Sequence, residues 1–305
     1  MSQLNWTEAQ WNRVNSAITE EFTKASVAGA CLPCYGPVGA SMETVSKQQF
    51  NPDPSKPSII RISDNETTPF WTIRTYVELN SHQVADESLS SALFAFKRAA
   101  NLLARTEDYI VFLGYDTEKR TSPGAFRFLK TDLPDALETI RNVIANESHK
   151  ADGLITHKDV DAVSIPMPSG QTNPLYFEGD GERLVTTIAE AISKLEDNGY
   201  PGPFACVLGR NLFLVAQTPS KGSLVLPADR ITPLLGGPLL RSGSMSKNHG
   251  VVASSCGESL DIVVATPPKA QFLQINADAK YVFRVYERFV LRIKDPKAVV
   301  SISLG

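Results

Sequence analysis

The chain is poor in the residues that most often carry chemistry. It has four cysteines and four histidines in 305 residues. Cys31, Cys34, Cys206 and Cys256 are too few for a disulfide scaffold. His82, His149, His157 and His249 fall in polar, loop-like surroundings, with no HExxH and no paired metal spacing, so they read as solvated surface residues. No GxSxG elbow is present. No block of like charge stands out, and a formal net charge of −3 argues against a general nucleic-acid binder held on backbone phosphates. No apolar run approaches the roughly 20 residues that span a bilayer. The opening MSQLNWTEAQW lacks the charged-then-apolar pattern of a secretory signal, so the expected address is the cytoplasm. Internal repeats and low-complexity tracts are also missing. What remains is a chain with 42% hydrophobic residues and length for one large domain or two ordinary ones.

Periodicity supplies the elements. Thr7 to Ala28 predicts an amphipathic helix, with Trp11, Val14, Ile18, Phe22 and Ala25 on one stripe. Thr7 with Gln10 fits a capping box, and Trp6 with Trp11 a hydrophobic staple. After the break at Gly36–Gly39, the Pro-rich Asn51–Ser58 reads as the tip of an arm. Ile59–Ile62 and Trp71–Leu79 on its far side predict the strands of a long ribbon, the second with Trp71, Ile73, Val77 and Leu79 on one face. Further helices are expected over Asp86–Thr106 (running on toward Tyr109 and Ile110), Leu133–Asn146 and Glu182–Asn198. From Pro203 onward the pattern turns to short strands: Phe204–Leu208, Gly250–Ser254, Leu260–Ala265 and Gln271–Ile275. A Gly/Pro/Ser-rich region, Thr218–Asn248, separates the first two, with a short helix near Pro227–Leu235. In Tyr281–Gly305, Phe283, Val285, Phe289, Leu291 and Ile293 share one strand face and Arg284, Arg288 and Arg292 the other, followed by a strand over Ala298–Ile302. The class is α+β.

The motifs that could carry chemistry are weak. The pair in "CLPC", Cys31 and Cys34, has redox-like spacing, but it follows a helix instead of opening one. The alternative is two small apolar residues on a turn. "GDGERL" (Gly179–Leu184) lacks the third glycine of a dinucleotide site and the lysine of a P-loop. "SGSMSKNHG" (Ser242–Gly250) offers Ser, Lys and His without a strand-turn-helix frame and reads as a flexible loop; "HKDVD" (His157–Asp161) reads as a solvated one. The arginines could serve an anionic surface or a subunit interface. No catalytic, cofactor or metal constellation emerges.

The order of elements carries a resemblance. An N-terminal helix leads into "YGPVG", then come an arm and a long helix ending in "ARTEDYIVFLG" (Ala104–Gly114). "NGYPGPFACVLGRN" (Asn198–Asn211), "HGVVASS" (His249–Ser255), "ESLDIVVA" (Glu258–Ala265) and the closing "RFVLRIKDPKAVVSI" follow. From about Leu4 to Leu304 this resembles the bacterial and archaeal encapsulins, the linocin-like shell proteins.

The resemblance implies a tailed-phage major-capsid-like (Johnson) fold. Residues 1–41 would be the N-terminal helix and lead-in, and 42–80 the extended β-arm. Residues 81–201 would be the peripheral domain, with its spine helix and an inserted helical segment at about 115–151. Residues 202–266 would be the axial domain, and 267–305 the peripheral domain's C-terminal strands, closing its sheet. It implies an icosahedral nanocompartment, not an enzyme, whose partners are copies of itself and a cargo carrying a C-terminal targeting peptide, a ferritin-like protein or a peroxidase. Cofactors, nucleic acid and membrane are not expected. Carried over by position, Val14, Ile18 and Phe22 would line the cargo groove, with Pro268 and Lys269 on the facing wall. Two departures stand out: "AGACLPC" (Ala28–Cys34) replaces the charged residues usual after the helix, and the segment after Gly114 is longer than usual. The alternatives are a phage or prophage capsid protein and, in a different class, a CxxC redox enzyme.

Overall fold

The computed structural model describes residues 4–50, 59–116, 143–144, 150–165, 180–220, 224–255 and 259–304. In chain order it has α1 (Glu8–Ala25), α2 (Ala28–Cys31), β1 (Cys34–Tyr35), β2 (Thr44–Ser46), β3 (Gln49–Phe50), β4 (Ile62–Ser63), β5 (Thr67–Pro69) and β6 (Trp71–Leu79). There follow α3 (Ser81–Ala85), α4 (Ser90–Leu113), β7 (Tyr115–Asp116), β8 (Lys150–Ala151), β9 (Asp161–Ile165), α5 (Asp180–Asp197), β10 (Phe204–Leu208), α6 (Arg210–Ala216) and α7 (Pro227–Leu235). The chain closes with β11 (Leu239–Arg241), β12 (His249–Ser254), β13 (Leu260–Ile275), β14 (Tyr281–Ile293) and β15 (Val299–Leu304).

Two sheets organise these elements. The first has the order β1-β13-β14-β6, the second β11-β10-β12-β15-β9. Helices α1 and α4 lie against the first sheet, where Phe283, Val285 and Phe289 of β14 meet Val14, Ile18 and Phe96 in one core. Helices α5 and α7 cover one face of the second sheet through Leu184, Ile188, Ile231 and Leu235. The reverse face of that sheet, with Ala205, Val207, Val251 and Val299, joins the first core. Strand β10 is therefore buried at all five positions and cannot alternate.

The expected helix start at Thr7 is realised with both arms of its capping box: Gln10 N–H donates to the Thr7 hydroxyl at 3.3 Å and Thr7 N–H to the Gln10 side chain at 2.8 Å. The spine helix starts later than expected. The Asp86 carboxylate accepts from Ser88 N at 2.9 Å and Ser90 N at 3.2 Å, which holds a turn ahead of the helix and delays its start to Ser90. At the other end it runs on to Leu113.

The arm is built differently from the expected ribbon. Strand β2 pairs with β5 and β3 with β4, both antiparallel, whereas Trp71–Leu79 leaves the arm and pairs along its length with β14. Its apolar face made it look like half of a ribbon; in fact that face is core. Leu260–Ala265 and Gln271–Ile275 are one strand, β13. Register shifts on either side of Pro267 and Pro268 absorb two residues that have no N–H to give. The expected helix Leu133–Asn146 lies outside the described residues except for Val143 and Ile144, both buried, with Ile144 bridging to Ile73 of β6. The Pro-rich tip Asn51–Ser58 and Cys256 also lie outside them.

The three arginines of β14 do share one side of the strand, but inside the chain they have partners. Arg284 donates to Gln271 at 2.5 Å, Arg288 to the carbonyls of Ala40 and Met42, and Arg292 to both carboxylate oxygens of Asp261 at 2.8 and 2.6 Å. Arg292 and Asp261 are buried, with Lys294 3.0 Å from the same carboxylate. The arginines thus clamp the lead-in to the sheet. Gly36 makes that approach possible, since a Cβ there would stand 2.3 Å from the Val264 carbonyl oxygen at a φ of +131°.

The last strand was expected to close the sheet of the peripheral domain. Instead β15 lies inside the second sheet, antiparallel to β12 and parallel to β9, because Pro296–Ala298 forms a 3-10 turn that redirects the chain after β14.

Two outcomes follow from these placements. Asp261→Ala leaves Arg292 charged, buried and unpaired, and is expected to cost about 3–5 kcal/mol in urea unfolding; a loss under about 1 kcal/mol would mean the pair is solvated. Deletion of residues 298–305 removes a strand with neighbours on both sides, and is expected to yield insoluble or unfolded protein by circular dichroism.

Candidate functional site

The N-terminal helix is held by aromatic packing. Trp6 stacks on Phe283 with centroids 4.9 Å apart, Trp11 meets Trp6 edge-on at 5.2 Å, and Phe96 and Phe272 pack on the same Phe283 ring at 5.3 and 5.5 Å. The Trp6 indole N–H donates to the Val84 carbonyl at 3.0 Å. Further along, the Asn15 side chain accepts the Ala270 amide at 3.0 Å, which fixes α1 to β13 just after its two prolines. The helix is thereby anchored to the β13–β14 pair at its N-terminal flank and at its middle.

This geometry separates the five residues expected to line a groove. Val14 and Ile18 are 0% exposed and Phe22 is 8% exposed, all inside the subunit's own core. Pro268 is buried at the strand irregularity. Lys269 sets its ammonium 5.6 Å from the Tyr286 ring, on the side of β14 that alternates away from Phe283. They do not converge on one open surface. Apolar groups that remain half-open beside α1 include Leu4, Trp6, Trp11 and Phe272. A stripe read from periodicity marks what a helix buries, and here the subunit itself buries it.

A second constellation escaped the sequence reading. Glu107 and Asp108 of the spine helix and Glu287 of β14 are all buried among apolar neighbours. Ser26 Oγ donates to Glu107 at 3.0 Å, and the amides of Val27 and Ala28 donate to Asp108 at 2.9 and 2.8 Å. Glu107 and Glu287 hydrogen-bond to each other, and the Glu287 Oε2 has no partner among the described residues. Burial pushes Glu107 up to about 7 and Asp108 up to about 8, and raises Glu287 well above the usual carboxylate range. Glu287 then keeps its proton and donates it to Glu107. The signal was present: Glu287 has the same strand parity as Phe283, Val285 and Phe289, so alternation points it inward.

The cluster also acts on the cysteine pair. Cys31 is buried at the end of α2, its thiol donating to the Ala28 carbonyl, and burial together with Asp108 pushes it up. Cys34 is exposed, and burial of its thiol together with Glu107 also raises it. A redox pair needs the opposite shift. The Ser242–Gly250 segment is not a flexible loop: Ser242, Ser244, Met245 and Ser246 are buried, and Ser246 Oγ lies 2.9 Å from His249 Nδ1 where no substrate reaches it. Asp161 of the expected solvated loop opens β9 and accepts from Asn198 at 3.1 Å. Among the described residues, no group of three His, Cys, Asp or Glu side chains is placed to hold a metal ion, and no helix is long and apolar enough to cross a membrane.

The buried acids give stability a definite pH dependence. Their folded values lie above those of the unfolded chain, so the folded state holds extra protons between about 4.5 and about 8. Stability is greatest below that window and falls as pH rises through it, by about 1.4 kcal/mol per pH unit for each extra proton held. Glu287→Gln, which keeps a donor to Glu107 and cannot ionise, is expected to flatten the decline; melting curves at pH 5 and pH 8.5 for both proteins check it.

With the geometry in place, three comparisons bear on identity. The family model described as an encapsulating protein for peroxidase (Linocin_M18) matches residues 2–122 and 150–290. The type 1 encapsulin shell protein EncA of Myxococcus xanthus is 25% identical over 97% of this chain and 93% of its own. The diheme-cytochrome-encapsulin shell fusion protein of Kuenenia stuttgartiensis is 23% identical over 99% of this chain and 75% of its own. Among solved structures, the virus-like particle from Pyrococcus furiosus superposes with a TM-score of 0.66 at 14% identity, over 97% of this chain and all of that one. The capsid of Myoviridae phage XM1 does so with 0.55 at 14% identity, over 92% and 91%. The expected α+β capsid fold is thus the observed one. The family match breaks between 122 and 150, inside the stretch where the sequence departs from the usual spacing. Matched by its family model over most of its length, and aligned nearly end to end with encapsulin shell proteins on a shared fold, the chain belongs to the encapsulin family of shell proteins.

Proposed function

We propose that the protein is the self-assembling subunit of a closed, icosahedral compartment that encloses a cargo protein in the cytoplasm. The observation that carries this reading is the arm. Ile59, Ile60 and Ile62 are 39%, 76% and 63% exposed, and Phe50 beside them 36%. The arm is tied back to the body just before residue 51, where Phe50 N donates to the Lys294 carbonyl at 2.8 Å, while these apolar side chains face solvent in the isolated subunit. Three exposed isoleucines within four residues, Ile62 in β4 and Ile59 and Ile60 just ahead of it, call for cover, and a second copy of the chain supplies it. Under this reading the part of the arm that precedes β6, residues 42–69, lies across a neighbour, 202–266 approach the symmetry axes, and the function is containment and not turnover.

Cargo capture is assigned to the α1 side of the β13–β14 pair. The half-open Trp11 and Phe272, the rim of the aromatic nest, fit an apolar anchor of an extended peptide better than the buried Val14, Ile18 and Phe22. A peroxidase is the cargo class that the family's description favours; a ferritin-like protein is the other.

Size-exclusion chromatography with negative-stain microscopy is expected to show closed particles of megadalton mass; a clean monomer or dimer would overturn the reading, and particles filled with DNA would turn it toward a phage capsid. Ile60→Asp with Ile62→Asp is expected to release folded, unassembled subunits, detected as a low-mass peak with an unchanged circular dichroism spectrum. Trp11→Arg is expected to leave particles intact but lose the co-purifying cargo band.

A further inference from the structure

One cavity holds positive charge that the subunit leaves unmatched. It has a volume of about 490 Å3 and lies between the end of α1, the spine helix and the turn after β11. Asn101, Arg105 and Asp108 face it from α4, spaced so that they share one side of the helix. Arg210 faces it from the start of α6, Arg241 from the end of β11 and Gly243 from the turn that follows.

The backbone fixes the two arginines of the sheet. Arg241 ends β11 in register with Leu208, which ends the parallel strand β10, and Arg210 follows two residues on. Gly209 lets the 246–249 turn close over this edge: a Cβ would stand 2.1 Å from the Ser246 carbonyl oxygen, and the Gly209 and Asn211 amides donate to His249 and Lys247 carbonyls at 2.8 and 3.0 Å. The cavity therefore sits outside the carboxyl ends of two parallel strands.

The charge balance is one-sided. Among the described residues, none of the three arginines forms an ion pair with a carboxylate; Arg241 lies 5.7 Å from the Phe213 ring centroid. The acid in the wall, Asp108, has its oxygens engaged by the Val27 and Ala28 amides. Burial raises it to about 8 although Arg105 works in the other direction, so at neutral pH it is only partly ionised. A guanidinium presents a planar fork that matches phosphate oxygens in pairs, and three of them exceed what one carboxylate can satisfy. The volume falls within the roughly 300–1,000 Å3 of small-ligand pockets. A Cβ at Gly243 would meet nothing within 4 Å, so space above the backbone is open.

We propose that this cavity binds a small polyanion carrying at least two linked phosphates, with Arg105, Arg210 and Arg241 as its anion-binding residues. Calorimetric titration of the purified protein with inorganic pyrophosphate and, separately, with ATP, at about 0.15 M salt, tests it. Saturable binding near one equivalent per subunit is expected. Arg210→Ala with Arg241→Ala is expected to weaken it by about tenfold or more per arginine, with particle size unchanged. Arg210→Gln alone, at an exposed position, is expected to weaken it with an unchanged melting curve. Equal affinity for both probes means that the phosphate chain alone is read; tighter ATP binding adds a nucleoside to the ligand. No saturable binding by the unmodified protein, or equal affinity in the variants, overturns the proposal, as does a map of the assembled particle with a neighbouring subunit's carboxylate in the cavity. Heat is counted per subunit, so failure here leaves the shell reading intact, and failure to assemble leaves this titration readable.

Discussion

Strand β14 has partners on both edges and work on both faces. Its edges pair with β13 and β6 along nearly its whole length. One face presents Phe283, Val285 and Phe289 to α1 and α4. The other presents Arg284, Arg288 and Arg292, of which the last two reach across β13 or onto the lead-in carbonyls of Ala40 and Met42. One strand thereby couples the N-terminal helix, the spine, the root of the arm and the long strand that leads out of the second sheet. The buried Arg292–Asp261 pair is the costly part of this arrangement, since both ions lose water. What it secures is register: shifting β14 by one residue would turn the arginines into the aromatic core and Phe283 out of it.

Local signals were readable because local physics decides them. The capping box at Thr7, the helix from Pro227, strand β10 and the left-handed Gly199 after α5 all appear where turn chemistry and periodicity put them. Partnership was not readable. Trp71–Leu79 has the same alternation whether it pairs inside an arm or against β14, and the register is set by residues some two hundred positions away. The same limit explains the groove. Val14, Ile18 and Phe22 form a stripe, and a stripe says that something covers it without saying whether that is the chain itself or a guest. The buried acids were legible in principle, through the parity of Glu287, but a carboxylate in a strand reads as solvated until its neighbours are known.

The sheet edges bear on the proposal that copies of the chain meet through the arm. In the first sheet β1 has two residues, and the outer edge of β6 carries the bridge from Ile144. In the second, β11 has three. Short or covered edges offer little backbone for another chain to extend. Exposed apolar side chains cluster at Phe50, Ile59, Ile60 and Ile62, so under the proposed reading contact between copies would use a side-chain surface on the arm and not an open ladder. Such contacts are strong only when the arm is stiff, and the tie between Phe50 and Lys294 anchors it to the end of β14.

Charge is sorted by depth in this subunit, and the sorting accounts for the sequence's most reactive-looking motif. Glu107, Asp108 and Glu287 are carboxyls held in the core by a hydroxyl, two amides and each other. A thiolate at Cys31 would add a negative charge beside Asp108, without solvent, so the pair in "CLPC" is driven toward the inert thiol form by the same neighbours that hold α2 on the spine helix. The small residues Ala28–Cys31 form α2, whose leading Val27 and Ala28 amides reach Asp108 on the spine helix. Where that cluster meets the surface, Asp108 carries only part of its charge, and the cationic side chains around the cavity at the end of α1 keep an excess that the fold itself does not neutralise.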